Sequence, residues 1–279
     1  MPPGRQPLPL RHALVLGLAQ GPTELLPVSS SGHTSLIPWL CGWSYDALEP
    51  ESRKAFEVAL HAGAGLALAV AMRAELAEAA ARIDRRRAGL FAFSLGPPAL
   101  AGLVLRGPIE RRLGGPRSIA AGLFAGAAAM ALADAGPSAG TRRLAQAGPS
   151  DGLALGVAQV LALIPGVSRS GATLTAARVC GFGRRDAQTL SWHAALPVIA
   201  GASALEVLCM ARRGVPADVR PALATGAAAA FVSTTLSARL LGGDRATRRG
   251  RALLPYAIYR SLLAIAVVRR LRSAHNRCG

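Results

Sequence analysis

The chain has 279 residues, of which 51% are hydrophobic and only 17% are charged, and its mean hydropathy is +0.34. A charged fraction below the ~25% of soluble domains argues against an ordinary soluble protein. The formal net charge of +17 would suit nucleic-acid binding, but the arginines lie in short clusters between apolar runs rather than in one patch. Basic clusters at the ends of apolar segments, beside anionic lipid, are typical of a polytopic membrane protein. We therefore predict a membrane partner and no nucleic-acid partner.

The first region, 10–40, is apolar but is interrupted in its middle by Pro, Gly and Ser. A soluble loop would leave the flanking apolar residues in water, so we expect two short helices joined by a polar turn, a re-entrant hairpin. Non-helical backbone is tolerated at membrane depth where protein encloses it. The run from Ala13 to Ala19 is too short for a span and lacks a small-residue cleavage site, so no removable signal peptide is predicted.

Three predicted spans follow this hairpin, and a second interrupted region, 152–182, precedes three more. Each segment has nearly or fully the ~17–25 residues that a spanning helix needs. The six segments are 55–72, 88–105, 118–135, 189–210, 222–241 and 252–268. A polar linker, 73–87, separates the first two. The four cysteines show neither CxxC nor Cys/His spacing, so neither a disulfide framework nor a structural zinc site is expected.

The two interrupted regions contain the same motif, A-Q-x8-S-x-S-G-x-T, without a gap. One copy runs from Ala19 to Thr34 and the other from Ala158 to Thr173, 139 positions later. Coincidence in an Ala-rich chain can supply an Ala or a Gly, but hardly the spaced serines and threonine as well. We interpret the pattern as an internal duplication.

The spans between the two copies determine their expected orientation. Three spans, an odd number, reverse the chain direction, whereas a re-entrant hairpin does not. The copies should therefore enter the membrane from opposite faces and meet near its middle, as in inverted-repeat transporters. The predicted fold is an all-α polytopic membrane protein, one domain over 1–279, with about six spans and two re-entrant hairpins. Its repeats cover 10–135 and, inverted, 149–270.

The second motif, "PGVSRSGAT", has the composition of a phosphate cradle. Its two glycines permit close backbone approach, and the hydroxyl groups of Ser168, Ser170 and Thr173 can donate hydrogen bonds. Arg169 offers a planar cationic fork that suits phosphate oxygens, and its burial in an apolar stretch is costly without an anionic partner. The alternative is that Arg169 pairs with Glu24 only to hold two loops together.

The first motif supplies complementary chemistry. Gln20 and Glu24 are four residues apart and face the same way on a helix, and Glu24 can act as a general base or as a ligand of a divalent cation. Ser30 or His33 can attack phosphorus, and His33 can instead shuttle protons. Ser29 is expected to bind substrate. The alternative for His33 is a hydrogen-bonded core residue without a catalytic role.

Several charged or titratable residues outside the two motifs also lie in predicted spans. Glu57 and His61 are one helical turn apart in the first span, and Arg260 lies in the last. An ionisable residue inside a membrane is a candidate functional residue. The alternatives are that Glu57 lies at the membrane interface and that Arg260 extends to the surface.

The stretches "QGPTELLPVSSSGH" and "ALIPGVSRSGAT" resemble the undecaprenyl-diphosphate phosphatase family of the bacitracin-resistance type. The first matches the family's E/Q-x-x-x-E and PVSSSGH pattern, and the second its PGxSRSxxT pattern. Similar features continue at 56–63, 181–202 and 256–264, so the resemblance covers most of the chain. His61 departs from the family, which usually has Gln there, and "SWHAALP" is more polar than the usual run.

The resemblance implies a multi-pass enzyme of the bacterial inner (cell) membrane that converts undecaprenyl diphosphate to the monophosphate carrier used for peptidoglycan. It also implies inverted repeats with re-entrant hairpins, and Mg or Ca as a divalent cation that bridges Glu24 and the diphosphate. A homo-oligomer is compatible with it. The positions that match the family's active site are Gln20, Glu24, Ser30, His33, Ser168, Arg169 and Thr173.

A second reading of the same features is a transporter or flippase of a lipid-linked phosphate or small anion, because secondary transporters also build anion sites from broken helices. A catalytically inactive scaffold in an envelope complex is a third reading. The presence of Glu24, His33 and Arg169 argues against the third.

Overall fold

The computed structural model describes residues 8–45, 47–81, 83–135, 140–215, 217–241 and 252–278. Apart from a short 3-10 helix, Leu144–Gln146, and one isolated bridge between Arg142 and Phe182, the regular structure of these residues is α-helical. The α-helices are α1 Leu10–Leu25, α2 Ser30–Cys41, α3 Pro50–Ala71, α4 Arg73–Ala81, α5 Arg85–Leu113, α6 Pro116–Ala135, α7 Pro149–Leu161, α8 Arg169–Val179, α9 Arg184–Arg213, α10 Arg220–Leu241 and α11 Leu254–Cys278.

Each predicted span coincides with one helix: α3, α5, α6, α9, α10 and α11. Within the described residues, three helical stretches are by length and composition able to cross a membrane, namely Pro50–Ala71, Arg85–Leu105 and Pro116–Ala135. The expectation of an all-helical chain with apolar spans is therefore confirmed. The predicted linker 73–87 is itself partly helical, because α5 begins at Arg85 and α4 covers Arg73–Ala81. Its alanines, glutamates and leucine are strong helix formers.

Both interrupted regions fold as two short helices joined by a turn, as predicted. Ser29 precedes α2, and its Oγ accepts a hydrogen bond from Gly32 N at 3.3 Å. Ser168 precedes α8, and its Oγ accepts one from Gly171 N at the same distance. A serine in this position satisfies one of the N–H groups that the first turn of a helix leaves without a partner. The turn serines thus begin both second helices.

The two copies of the motif correspond in structure as well as in sequence. A shift of 139 positions places Leu10, where α1 begins, on Pro149, where α7 begins. The same shift places Ser30, where α2 begins, on Arg169, where α8 begins. The correspondence between the two motif copies therefore includes the starts of their helices.

The chain folds into two compact units, and the first contains α1, α3, α10, most of α2 and the C-terminal half of α9. α10 packs along both α1 and α3. A Cβ added to Gly17 of α1 would lie 2.6 Å from the carbonyl oxygen of Gly226 on α10, and a Cβ on Gly226 would lie 2.6 Å from the Phe56 ring on α3. Small residues therefore set the close approach of these helices, as is usual where apolar burial cannot drive association in lipid.

The second unit contains α5 to α8, the N-terminal half of α9, α11 and the turn Leu26–Gly32. α7 packs along α5, α11 packs along α6, and α8 contacts both α6 and α7. Gly156, which is equivalent to Gly17 in the repeat, packs directly on the carbonyl oxygen of Phe93 on α5. α7 and α5 therefore approach closely at a glycine, as α1 and α10 do.

An ion pair fixes the start of α7. Arg142 donates from Nη1 to Asp151 Oδ1 at 2.7 Å and from Nη2 to Oδ2 at 2.8 Å, while Gly148 N donates to Asp151 Oδ2 at 2.9 Å. Arg142 Nη1 also donates to Cys180 O at 2.8 Å, just after α8. Burial opposes ionisation of Asp151, but the hydrogen bonds and charge of Arg142 and the Gly148 N–H outweigh it. The pKa of Asp151 is therefore below its ordinary value.

Gly17→Ala should destabilise the protein by about 1–3 kcal/mol, because the added methyl group forces α1 and α10 apart. The measurement is thermal unfolding of purified protein in detergent. Gly102→Ala on α5 is the matched control, since a Cβ there meets nothing within 4 Å. The control should keep or slightly raise the melting temperature, because alanine is the better helix former. Equal losses in both variants would contradict the packing role of Gly17.

Asp151→Asn should lower the free energy of unfolding at pH 7 by about 1–2 kcal/mol, since Asn keeps the shape of the side chain but loses the charge-assisted bonds to Arg142. The pKa of folded Asp151 lies below that of the unfolded chain. Its stabilisation is therefore complete above the unfolded pKa of about 3.9 and is lost as the pH falls through the lower folded pKa. The difference between wild type and variant should accordingly shrink in acid. Asp218→Asn, at an exposed aspartate, should leave the curve unchanged.

Candidate active site

A buried polar cluster in the first unit is centred on Glu24. Glu24 is 6% exposed and Gln20 is 1% exposed, and Gln20 Nε2 donates to Glu24 Oε2 at 3.1 Å. The spacing of four residues on α1 places both side chains on one face of the helix, as predicted. Thr34 donates from Oγ1 to Gln20 Oε1 at 3.5 Å. The amide of Gln20 thus links the carboxylate to α2.

His61 of α3 completes this cluster. Its Nδ1 lies 3.2 Å from Gln20 Nε2 and 3.7 Å from Glu24 Oε2. The sequence pattern predicts a span around His61 but does not connect His61 to Glu24, because only the packing of α3 brings the two side chains together. Thr34 was also missed, although the repeat offered a signal, since it is the counterpart of Thr173.

Glu57 lies 4.0 Å from Lys54 Nζ, with about a third of each side chain exposed, which agrees with the interface alternative.

The turn of the first motif, Leu26–Gly32, belongs to the second unit. Ser29 is buried and has a φ of +76°, a region that non-glycine residues seldom adopt and that is often found at functional sites. Ser30 is half-buried at the first position of α2. His33, three residues later on the same helix, is buried and is assigned to the first unit.

The second motif forms a network of hydroxyl groups at the start of α8. Ser168 Oγ and Ser170 Oγ are 3.2 Å apart, and Ser170 Oγ donates to Leu26 O at 3.3 Å. The turn of the first motif therefore contacts the second motif within the second unit. Thr173 is completely buried. Its Oγ1 donates to Arg169 O at 3.0 Å and lies 2.5 Å from Ser191 Oγ, so this hydroxyl group is used within the protein.

Arg169 is the first residue of α8 and is half-buried. The N-terminus of a helix carries partial positive charge and backbone N–H groups, and both favour a bound anion. A guanidinium group beside them adds a full charge and a planar set of donors. The arrangement of Arg169 with Ser168 is therefore suited to phosphate oxygens.

The structure places the nine predicted site residues in two groups. Gln20, Glu24 and His33 lie in the first unit, and the other six lie in the second, namely Ser29, Ser30, Ser168, Arg169, Ser170 and Thr173.

A hard divalent cation fits the donor chemistry of the first group. The Glu24 carboxylate and the Gln20 amide are oxygen donors of the kind that Mg²⁺ and Ca²⁺ prefer, and Mg²⁺ is often held by one or two carboxylates together with substrate phosphates. No group of three or more His, Cys, Asp or Glu side chains that could hold a metal ion occurs in the described part of the chain.

Comparison with known proteins identifies the family. The sequence model described as "Bacitracin resistance protein BacA" matches residues 13–266. A protein of Geobacter sulfurreducens named undecaprenyl-diphosphatase is 41% identical over 272 residues, which cover 93% of this chain and 97% of the relative. Proteins with the same name from Pelobacter propionicus and Thermomicrobium roseum are 39% and 37% identical and cover 93% and 82% of this chain and 96% and 87% of their own lengths. The chain belongs to the bacitracin resistance protein BacA family.

Proposed function

We propose that the protein hydrolyses undecaprenyl diphosphate to undecaprenyl phosphate and inorganic phosphate. This reaction returns the lipid carrier to cell-wall synthesis and confers bacitracin resistance. One observation carries the proposal, namely the turn at the start of α8, where Arg169 and a serine network adjoin the turn of the first motif. The family membership and the names of the curated relatives support it.

The second motif binds the diphosphate. Arg169 offers a charged fork, Ser168 a hydroxyl group beside the first turn of α8, and the helix N-terminus its N–H groups. These groups neutralise the charge that develops as the phosphoanhydride bond breaks. The Thr173 hydroxyl group donates to the carbonyl oxygen of Arg169 and lies within hydrogen-bond distance of Ser191 Oγ, so Thr173 contributes by orienting the first turn of α8.

Cleavage of the phosphoanhydride bond releases undecaprenyl phosphate as the leaving group. The terminal phosphoryl group is finally transferred to water. Ser30 or His33 attacks phosphorus directly or positions the water molecule, and Glu24 accepts a proton or holds a cation. Gln20 fixes the orientation of the Glu24 carboxylate through the bond at 3.1 Å. A divalent cation, Mg²⁺ or Ca²⁺, held by Glu24 and the Gln20 amide would neutralise charge on the diphosphate.

The protein lies in the bacterial inner membrane as a single domain with six spans and two re-entrant hairpins. Its repeats, 10–135 and 149–270, have inverted topology, as the three spans between the motifs require. The matching helix boundaries at a shift of 139 positions support this arrangement.

Arg169→Ala should lower kcat for phosphate release by about 10²- to 10³-fold, the loss typical when one donor to transition-state charge is removed. The assay uses purified protein, a polyprenyl diphosphate and Mg²⁺, and it is repeated with EDTA, which should also abolish release. Arg185→Ala, at an exposed arginine, is the control and should keep wild-type activity. Wild-type protein that releases no phosphate with metal present would refute the proposal. Variants that change only flux across vesicles would favour the transporter alternative.

Ser30→Ala and His33→Ala separate the candidate nucleophiles. Removal of the nucleophile should abolish both phosphate release and any phosphoenzyme, whereas removal of a proton shuttle should slow the reaction by about 10²- to 10⁴-fold. Rapid quenching with substrate labelled in its terminal phosphate distinguishes the two, because phosphoserine survives acid and phosphohistidine does not. Loss of less than tenfold in both variants would exclude both residues from the chemical step.

A further inference from the structure

Arg260 of α11 is completely buried, at 0% exposure. The alternative that it extends to the membrane surface is therefore wrong. Its guanidinium group turns into the second unit and donates to three backbone carbonyl groups: Gly166 O at 2.8 Å and Gly122 O at 3.3 Å from Nη2, and Pro27 O at 3.5 Å from Nη1. Met130 Sδ lies 3.2 Å from Nη1.

These carbonyl groups belong to the segments that form the proposed phosphate site. Pro27 lies in the turn before Ser29, and Gly166 lies in the turn before Ser168. Gly122 lies in α6, on which α8 packs. One planar guanidinium group thus connects the two motif turns to each other and to a helix. A lysine cannot reproduce this, because its ammonium group donates from a single point.

The charge of Arg260 is not paired with an acid. Among the described residues, no carboxylate lies within ion-pair distance of its guanidinium group, which contacts three carbonyl oxygens and the Met130 sulfur instead. A buried cation without an anion is costly, so such residues are usually functional. The carbonyl groups of the two turns carry partial negative charge, which offsets only part of the charge of Arg260. Net positive charge therefore remains next to the turns.

Two glycines make room for the guanidinium group. A Cβ added to Gly126 on α6 would overlap it, at 2.8 Å from Cζ, and one added to Gly171 on α8 would lie 2.9 Å from Nη1. The small-residue spacing of Gly122 and Gly126 therefore serves this side chain as well as helix packing.

We propose that Arg260 is a positioning residue for phosphoryl transfer. It sets the distance between the turn before Ser29, which contains Pro27, and the turn before Ser168, which contains Gly166. The hydroxyl groups of both motifs can then bind the same diphosphate. The proposal rests on the proposed function. Displacement of reacting groups by about 1 Å can cost about 10²-fold in rate, so loss of the guanidinium fork should reduce kcat more than substrate binding.

The test compares Arg260→Lys with Arg178→Lys in the phosphate-release assay, with rates expressed per folded molecule. Arg178 is also a buried arginine of the second unit and donates to Phe182 O at 2.7 Å, after α8. Arg260→Lys should lower kcat by about 10- to 100-fold with KM changed less than threefold. Arg178→Lys should lower the melting temperature but leave kcat unchanged. Equal kcat in wild type and folded Arg260→Lys would overturn the proposal.

Gly126→Ala provides a second test that keeps the arginine. The new methyl group should push the guanidinium group away from the turns and lower kcat in the wild-type background. In the Arg260→Lys background it should have little further effect on kcat, because no guanidinium group remains to be displaced. Additive effects on kcat, or no effect of Gly126→Ala in wild type, would overturn the proposal even if Arg260→Lys cannot be purified. Wild-type protein without phosphatase activity would instead refute the proposed function.

Discussion

The structure depends on satisfying backbone polar groups where helices are interrupted within apolar segments. An unpaired N–H or C=O group costs several kcal/mol in a medium without water. The side chains that meet this requirement are those of the motifs and their neighbours: Ser29 and Ser168 accept from the first turns of α2 and α8, and Ser170 donates to Leu26 O. Arg260 then serves the carbonyl groups of both turns. The residues that stabilise the turns are thus identical with, or adjacent to, the residues that are proposed to bind phosphate.

Much of this arrangement could be predicted from the sequence, because local patterns determine it. Apolar length indicated the helices, and the spaced serines and threonine indicated both the turns and the duplication. Contacts made only by packing could not be predicted. His61 lies 41 residues from Gln20 in the chain, and Arg260 lies 233 residues from Pro27. The sequence around a charged residue in an apolar helix is the same whether its side chain extends to the surface or turns into the protein. Only the glycines that pack against Arg260 in the structure show that its side chain turns inward.

The helix pairs of the two units join the two proposed repeats. α1 of the proposed first repeat packs with α10 of the proposed second repeat, and α7 of the second packs with α5 of the first. Positions 139 residues apart lie at both contacts: Gly17 and Gly156, and also Ser233, which donates to Leu18 O, and Ser94, whose O accepts from Gln159 at 2.9 Å. Under this proposal, each repeat supplies the helix on which the first hairpin helix of the other repeat packs.

This exchange has a consequence for the order of events during synthesis. α1 is translated before α10, and the hydroxyl group that contacts the α1 backbone, that of Ser233, lies 215 residues further along the chain. At about 5–20 residues per second, translation delays that contact by roughly 10–40 s. Throughout this interval the glycine face of α1 lacks α10 and must be sheltered by lipid, by the insertion machinery or by an earlier helix. α1 therefore meets its permanent neighbour only after the helices between them have been made.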